Sequence, residues 1–593
     1  MLRGRCPSVI RACSRRAFVS TANFSSSSSS SSIGPNAPLE LDPSLRALLR
    51  DADMALLKHK PRERLEFGSS SAKELEVLEF DEAWSVQLTE HEEEAATPTE
   101  RKSSRARFGS RNIGSVFLSA ELREAIERVI NDGDKPRLHE DAKRLFRDQD
   151  QGGNGLWHTT YETDYKSWKQ AKRHAERDGT AFASVALPAH YSVVYAVLDN
   201  IKHRLGKEWK VRHVIDWGSA VGSGIWASMH AFQETSDEEE AVPKPDALLS
   251  QSTISSYLGI ERRDALTSMA KKLIEGADTA DTTVRWRKGY PDAEQAERTE
   301  DGDILALSAF YLSSLQSSVA KKDLIKQMWS SGANVIVLID HDTSAGFISI
   351  AEAREQLLRL GRKELQDPAL QHDPASGCHV VAPCPHDGAC PLLNSGKSNL
   401  QCSFSQRLQR PAFLRRTKHV RAGHEDIGYS YVAIRRGKRP TLHQASATDG
   451  ALHQSEPVGE DPIDRIRLEA YDWPRMIFPP LKRSGHVIID GCTSEGKIMR
   501  MTIPRSQGKQ PYYDARKSSW GDIFPHKPKN PPQVRLVPKD MMGNSSSLPG
   551  SDIGKRRRKD KTRDPTSYEK IVSDIKESEQ KRRRDWSKSA NIL

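Results

Sequence analysis

"VRHVIDWGSAVGSGIWA" occupies residues 211–227. An apolar run of strand length closes on Asp216, and Gly218 and Gly222 follow before a helical pattern begins. Glycines at that place permit a tight turn and close approach of backbone to ligand, as in nucleotide-type sites at the end of a first strand. Three more apolar runs follow, "SYLGIE" (256–261), "DILALSAF" (303–310) and "NVIVLID" (334–340), separated by helical stretches such as "RDALTSMAKKLIEG" and "SIAEAREQLLRLGR". Strands alternating with helices predict a parallel, doubly wound α/β sheet. Glu261, closing the second strand, is placed to accept hydrogen bonds from ribose hydroxyls. Upstream, "LSAELREAIERVINDG" sets Leu122, Ile126, Val129 and Ile130 on one helical face behind the N-cap Ser119. Residues 183–205 repeat that spacing, with Pro188 as an early helical residue.

The Asp216-x-Gly218-x-Ala220-x-Gly222 pattern, with an acid after the next strand, resembles the S-adenosylmethionine site of class I methyltransferases. The resemblance implies that Asp216, Gly218, Gly222 and Glu261 would hold that cofactor. Ala220 departs from it, standing where such enzymes carry the middle glycine. Glu261 lies 45 residues beyond Asp216 because of "ETSDEEEAVPKPDALLSQ", an acidic insertion read as a surface loop. After the strand at 303–310 the chain reads "SAFYLSSL", without the Asn/Asp-Pro-Pro-aromatic motif used on exocyclic amines. Pro383-Cys384 mimics the Pro-Cys nucleophile of pyrimidine C5 methyltransferases but lies beyond the helix after "NVIVLID". No catalytic residue is assigned, and the fold reading outranks the catalytic one.

The first 32 residues hold five arginines and a serine run, and no acid precedes Glu40. That composition predicts a mitochondrial transit peptide over residues 1–34 and a matrix location. Cys6 and Cys13 would leave with it, and five cysteines would remain. Hydrophobic residues are 36% and charged residues 29% of the chain, so folded parts are expected between polar ones. The expected order is a disordered lead-in (35–110), a helical region (111–205), the core (206–375), a cysteine-rich basic region (376–440), a linker (441–465), a C-terminal β extension (466–530) and a basic disordered tail (531–593). No apolar run approaches the roughly 20 residues of a membrane span, and the best, Val335 to Ile339, has strand length, so no membrane contact is expected.

Cys384, Cys390 and Cys402 fall in "VVAPCPHDGACPLLNSGKSNLQCSFSQRLQR" (380–410), a stretch rich in Pro, Gly and Asn. In a reducing compartment these are metal ligands or buried thiols rather than disulfides. Their spacing is too loose for paired zinc-ribbon knuckles, and three thiolates ask for a fourth. Spacing nominates Cys378, with Cys492 in "IDGCTSEGK" as the distant alternative. From Gln401 to Pro440, ten Lys/Arg stand against two acids, interleaved with Phe404, Phe413, Tyr429 and Tyr431. Basic side chains among aromatics suit phosphate contact and base stacking, so Arg407, Arg410, Arg415, Arg416, Lys418, Arg435 and Arg436 are expected to meet RNA. "RKSSWGDIFP" adds Arg516, Lys517 and Trp520, though an aromatic there is as often core as a stacking platform.

"VVAPCPHDGACPL", "CSFSQR", "WPRMIFPPLKRSGHVIIDGCT" and "QGKQPYYDARKSSWGDIFP" together resemble the mitochondrial small-ribosomal-subunit protein twenty-two family of fungi, the methyltransferase-like protein seventeen family of animals. The likeness runs from about Leu118 to Pro525. It implies a class I methyltransferase-like (Rossmann-type) α/β sheet with a cysteine-rich metal-binding insertion and a small C-terminal β extension. It also implies a role in assembly or structure of the mitochondrial small ribosomal subunit, as a monomer on the particle with small-subunit rRNA and ribosomal proteins as partners. A [4Fe-4S] cluster carries over onto Cys384, Cys390, Cys402 and Cys492, leaving Cys378 a bystander; zinc is the alternative, since four thiolates do not distinguish the two. The competing function is an active S-adenosylmethionine-dependent rRNA methyltransferase.

Overall fold

A computed structural model describes residues 101–538, except 111–112, 148–155, 162–167, 235–246, 291–301, 369–372, 374, 394–399 and 441–461. The transit-peptide reading lies outside these residues, as does most of the lead-in, linker and tail.

Nine strands make the main sheet: β1 (Ser115–Val116), β2 (Val211–Trp217), β3 (Ser256–Ile260), β4 (Thr283–Arg287), β5 (Asp303–Ala309), β6 (Val335–His341), β7 (Cys378–Ala382), β8 (Phe404–Gln409) and β9 (His424–Arg436). Their order is β1-β8-β9-β6-β5-β2-β3-β4, with β7 also beside β9. Strands β2 to β6 run parallel, whereas β9 is antiparallel to both β6 and β8. Counted from β2, the central strands read 3-2-1-4-5-8, with 6 and 7 both paired to the antiparallel eighth, which is the 3-2-1-4-5-7-6 order of class I methyltransferases with one strand added. The order in which successive strands are laid down reverses between β2 and β5, the switch point where such sheets place ligands. The expected fold class holds. β4 went unread because "TVRWR" is a half-exposed edge strand that carries two arginines.

Successive apolar residues of β5 and β6 alternate between two cores, as strand geometry demands. Val335, Val337 and Ile339 join one, and Ile336 and Leu338 the other. Helices cover both faces: α1 (Ser104–Gly109), α2 (Ala120–Asp132), α3 (Lys135–Phe146), α4 (Trp168–Leu205), α5 (Ser223–Ala231), α6 (Asp264–Ile274), α7 (Ser318–Ser330) and α8 (Ser344–Gln366). α2 forms as the pattern predicts: the Ser119 hydroxyl accepts from Leu122 N at 3.2 Å, and Leu122, Ile126 and Val129 are buried. α4 corrects two expectations. It runs 38 residues, with Pro188 in its interior rather than its first turn. Its stretch 174–205 is long and apolar enough to cross a membrane, yet the apolar 18-residue window that makes it so is wholly buried in the protein. A helix buried all round must read apolar all round.

Three shorter helices follow, α9 (Ala412–Lys418), which packs on α3 and α4, α10 (Pro462–Glu469) and α11 (Lys509–Lys517), the last against a second, antiparallel sheet. Its strands are β10 (Arg475–Met476), β11 (Leu481–Lys482), β12 (His486–Cys492), β13 (Ile498–Pro504) and β14 (Gln533–Leu536). The expected β extension is present, but three boundaries move. β14 pairs with β13, so order continues past 531. α10 begins inside the predicted linker. At the other end α1 lies within the predicted lead-in, held by Ser103 donating to Asp514 through N (3.1 Å) and Oγ (2.7 Å), and by Ile523 N donating to Gly109 O (2.9 Å). Local composition could not reveal partners more than 400 residues away.

Candidate metal centre and glycine cradle

The loop after β2 folds as its glycines require. Gly222 caps α5 in the left-handed region (φ 94°), and Ala220 enters the same region at φ 46°, a strained place for a side chain with a Cβ. Asp216 is buried, and burial pushes its carboxyl up to about 7, against the hydrogen bond that Tyr257 Oη donates to Oδ2 at 2.7 Å. A Cβ on Gly224 would lie 2.0 Å from that Oδ2, so Gly224 is a necessary glycine that the motif reading passed over.

The ribose-binding expectation meets an occupied carboxylate. Glu261 accepts from Ala220 N (3.0 Å) and Arg263 Nη2 (2.8 Å) on Oε2, and from Arg263 N (2.9 Å) and Nε (2.8 Å) on Oε1. Four donors use the roughly four lone-pair positions of a carboxylate. Over Gly218, a Cβ would stand 2.3 Å from the Tyr311 ring, so that residue covers the loop where a ligand would approach. As they stand, Glu261 offers no open acceptor to a ribose hydroxyl and Tyr311 lies over Gly218, so S-adenosylmethionine would enter only with Arg263 and Tyr311 displaced.

The cysteines do converge. Along its edge opposite β6, strand β9 pairs first with β8 (Gly428 with Ser405) and then with β7 (Ile434 with Val380). The segment joining β7 to β8 therefore loops out beside Tyr431 and Val432, carrying Cys384, Cys390 and Cys402. Cys492, at the end of β12, meets it from the second sheet. All four line one void of about 530 Å³, counting its opening to solvent, among Phe347, Ile350, Leu392 and Ile477 and the buried Arg354 and Arg475. Burial, then the facing thiols, pushes Cys390 up to about 11 and Cys402 and Cys492 well above the ordinary thiol range. Such thiols ionise readily when a metal supplies the positive charge.

Arg354 fixes the loop by donating to Gly388 O (2.8 Å) and His386 O (2.7 Å). His386 Nε2 lies 3.3 Å from Cys492 Sγ, and its Nδ1 lies 3.5 Å from Arg354 Nη2. Burial first, then Arg354, depresses His386 to about 3, so it is neutral. With Nδ1 facing a guanidinium, the ring proton is assigned to Nε2, aimed at the Cys492 sulfur.

Cys378 stands apart on β7. Its thiol points at Leu357 O (3.5 Å) and packs where a Gly361 Cβ would be, and burial drives it up to about 12. The fit to four-thiolate ligation thus takes Cys492 and omits Cys378. Among the described residues the three-ligand group within 4.8 Å is Asp141, His174 and Asp178, so no three of the four thiols pack that closely. One zinc at its usual bond length would hold four sulfurs roughly 3.8 Å apart. Asp141 and Asp178 are themselves paired with Arg144 and Arg177, which supply the positive charge there.

The family model described as mitochondrial small ribosomal subunit Rsm22 matches residues 176–525, more than half the chain and all of both sites. The chain belongs to the Rsm22 family. Rsm22-cox11 tandem protein 2, mitochondrial, of Schizosaccharomyces pombe is 29% identical over 356 residues, 58% of this chain and 43% of that one. Ribosome assembly protein METTL17, mitochondrial, of Homo sapiens is 25% identical over 373 residues, 62% of this chain and 66% of that one. Ribosome assembly protein RSM22, mitochondrial, of Saccharomyces cerevisiae is 24% identical over 423 residues, 56% of this chain and 65% of that one. The chain spans less than half the length of the first relative and just under two thirds of the others.

In this Rsm22-family chain the basic set predicted to meet RNA divides. Lys418 is buried and donates to Glu425 Oε2 at 2.7 Å, where Arg410 Nε also donates at 2.8 Å. Arg436 pairs with Glu364 (3.1 Å) and lies 3.9 Å over the Trp329 ring. These three belong to the fold, which corrects the reading for them. Arg415 and Arg416 are exposed on α9, Arg407 is exposed in a surface pair with Asp426, and Arg435 is half-buried. Phe413 is core, while Phe404, Tyr429 and Tyr431 wall cavities instead of facing solvent. Trp520, left undecided by sequence, is 38% exposed.

Proposed function

We propose that this chain acts in the mitochondrial matrix in assembly of the small ribosomal subunit, binding small-subunit rRNA and proteins through a methyltransferase-like scaffold. The family and the names of its human and yeast relatives support assembly. The observation that carries the choice over methyl transfer is Glu261, whose carboxylate is saturated by Arg263 and Ala220. In cells lacking the chain, density-gradient profiles of mitochondrial ribosomes are expected to lose the small subunit while keeping the large; an unchanged small-subunit peak overturns the reading.

We further propose that Cys384, Cys390, Cys402 and Cys492 hold a [4Fe-4S] cluster in preference to zinc. When bound, it would tie the β7–β8 loop to β12 through four metal–thiolate bonds, coupling folding to metal occupancy. Arg354 orients the loop and places two of its carbonyls, Arg475 adds a second buried positive charge, and His386 offers N–H to the Cys492 sulfur. Anaerobically purified protein is expected to contain about four iron and four sulfide per chain, lost in Cys492→Ser and kept in Cys378→Ser. Stoichiometric zinc, or loss with Cys378→Ser, defeats the assignment.

A further inference from the structure

A second cavity, of about 800 Å³ counting its mouth, opens between α1, the end of α4, strands β8 and β9, and residues 520–523. Within it Asn200 Oδ1 and Arg204 Nε are buried without a partner among the described residues. Arg204 is only 5% exposed, and its Nη2 is already held by Ala470 O at 3.4 Å. Asn200 and Arg204 are four apart on α4, so an acceptor and a donor share one face. Phe404 and Tyr429, ring centroids 5.9 Å apart, form part of the wall, and Trp520 stands exposed at the mouth.

Charge decides what enters. The buried Arg204 and Arg475 are balanced by the buried Asp199 and Asp522, which makes the interior polar without being cationic and therefore poor for a phosphate. The surroundings are different. Each of three wall segments carries exposed basic residues beside its lining ones: Arg101, Arg105 and Arg107 before Phe108; Arg516 and Lys517 before Trp520; and Arg407, two along β8 from Ser405 on the same exposed face. Arg105 pairs with Glu469 and Arg407 with Asp426, but both arginines are about half exposed, and such pairs exchange partners at little cost. A polar interior with no net charge, under a cationic rim, matches a nucleotide with its base inside and its phosphates outside.

We propose that this cavity receives one unstacked base of single-stranded RNA, stacked on Trp520 and met at its hydrogen-bonding edge by Asn200 and Arg204. Single-stranded RNA is read in this way, by splayed bases on aromatic side chains. The proposal rests on the RNA-binding reading above and names where one base goes.

The test uses the full chain and fluorescent single-stranded oligoribonucleotides of mixed sequence, titrated at several salt concentrations. Trp520→Ala is expected to weaken binding about 5- to 100-fold, the usual worth of one stacked base. The slope of log affinity against log salt should stay unchanged, because no phosphate contact is lost, and Trp520→Phe should recover most of the affinity. Asn200→Ala is expected to weaken binding severalfold at unchanged melting temperature. Replacing Arg516 and Lys517 together by Gln should instead flatten the salt slope by up to about 1.4. If both Trp520→Ala and Asn200→Ala bind as wild type while the Arg516 and Lys517 replacements weaken binding, the pocket is refuted and RNA binding stands. If the folded wild type binds no oligoribonucleotide at low salt, the RNA reading and the pocket fall together.

Discussion

Glu425→Gln should unfold this protein more readily than any change to the exposed basic residues. Glu425 sits between Lys418 (2.7 Å) and Arg410 (2.8 Å), with side-chain exposures of 8%, 3% and 13%. At an effective dielectric near 20 each contact is worth about 6 kcal/mol before desolvation, and taking each ion from water costs several kcal/mol, so little net stability accrues while all three are present. Removing the anion leaves two buried cations unpaired, which costs about 3–5 kcal/mol. At about 2 °C per kcal/mol for a folded unit of this size, the melting temperature should fall by about 6–10 °C. Lys418→Met removes a desolvated charge and leaves Glu425 its Arg410, so it should cost much less. Burial alone would raise the Glu425 pKa, yet Lys418 and Arg410 hold it below the usual carboxylate range. Its stabilising share is therefore present above pH 4.5 and lost as pH falls through the lower folded value, so wild type and Glu425→Gln should converge in acid. The assay is thermal unfolding from pH 3 to 8 with RNA titration in parallel. A severalfold loss of RNA affinity in Lys418→Met at unchanged melting temperature would refute the structural role given to that lysine.

Asp216, raised to about 7 from 3.8, favours its protonated form in the fold, so its stabilising share is full below pH 4 and lost as pH rises to about 7; Asp216→Asn should flatten urea-denatured stability across that window, and an unchanged slope counts against it. Gly224→Ala places a methyl on the Asp216 carboxylate and should cost about 1–3 kcal/mol, with part recovered in the double variant Gly224→Ala, Asp216→Ala; strict additivity in the double-variant cycle would deny the contact. His386→Leu should retain the iron signal at reduced occupancy and shift its reduction potential downward, because a hydrogen bond to sulfur is lost; an unshifted potential would place that N–H elsewhere. Wild-type protein should retain no labelled S-adenosylmethionine through gel filtration, and saturable binding would show that Arg263 and Tyr311 yield to it.

Much of the central sheet was legible because buried parallel strands are continuous apolar runs, as in "NVIVLID", and a glycine loop marks the turn after the first. β8 was not, since "FSQRLQ" alternates buried with exposed residues inside a stretch whose arginines draw attention to charge. Pro188 misled because a proline usually opens a helix, and only packing on every side of α4 carries the helix through it. At the candidate metal centre, spacing alone nominated Cys378, and the resemblance supplied Cys492. The geometry agrees with the latter because β9 throws out the cysteine loop where β12 can reach it, a relation spanning two sheets. The saturation of Glu261 was half visible in "IERRD", but which arginine turns inward is decided by folding. Lys418 looked like its exposed neighbours Arg415 and Arg416; Glu425, across the turn into β9, makes it core.

The clasp between Ser103 and Asp514 also orders events in time. Its partners are 411 residues apart, and closing so long a loop costs about 1.2 kcal/mol more than closing one a quarter as long. α1 is made early, yet the surface that receives Phe108, built partly from Trp473 and Ile523, does not exist until nearly all the described chain has been delivered. The first part of the body to arrive is thus among the last to settle. Until then its arginines and backbone are open to proteases and chaperones, and cleavage near residue 104 would serve as a clock for completion of the fold.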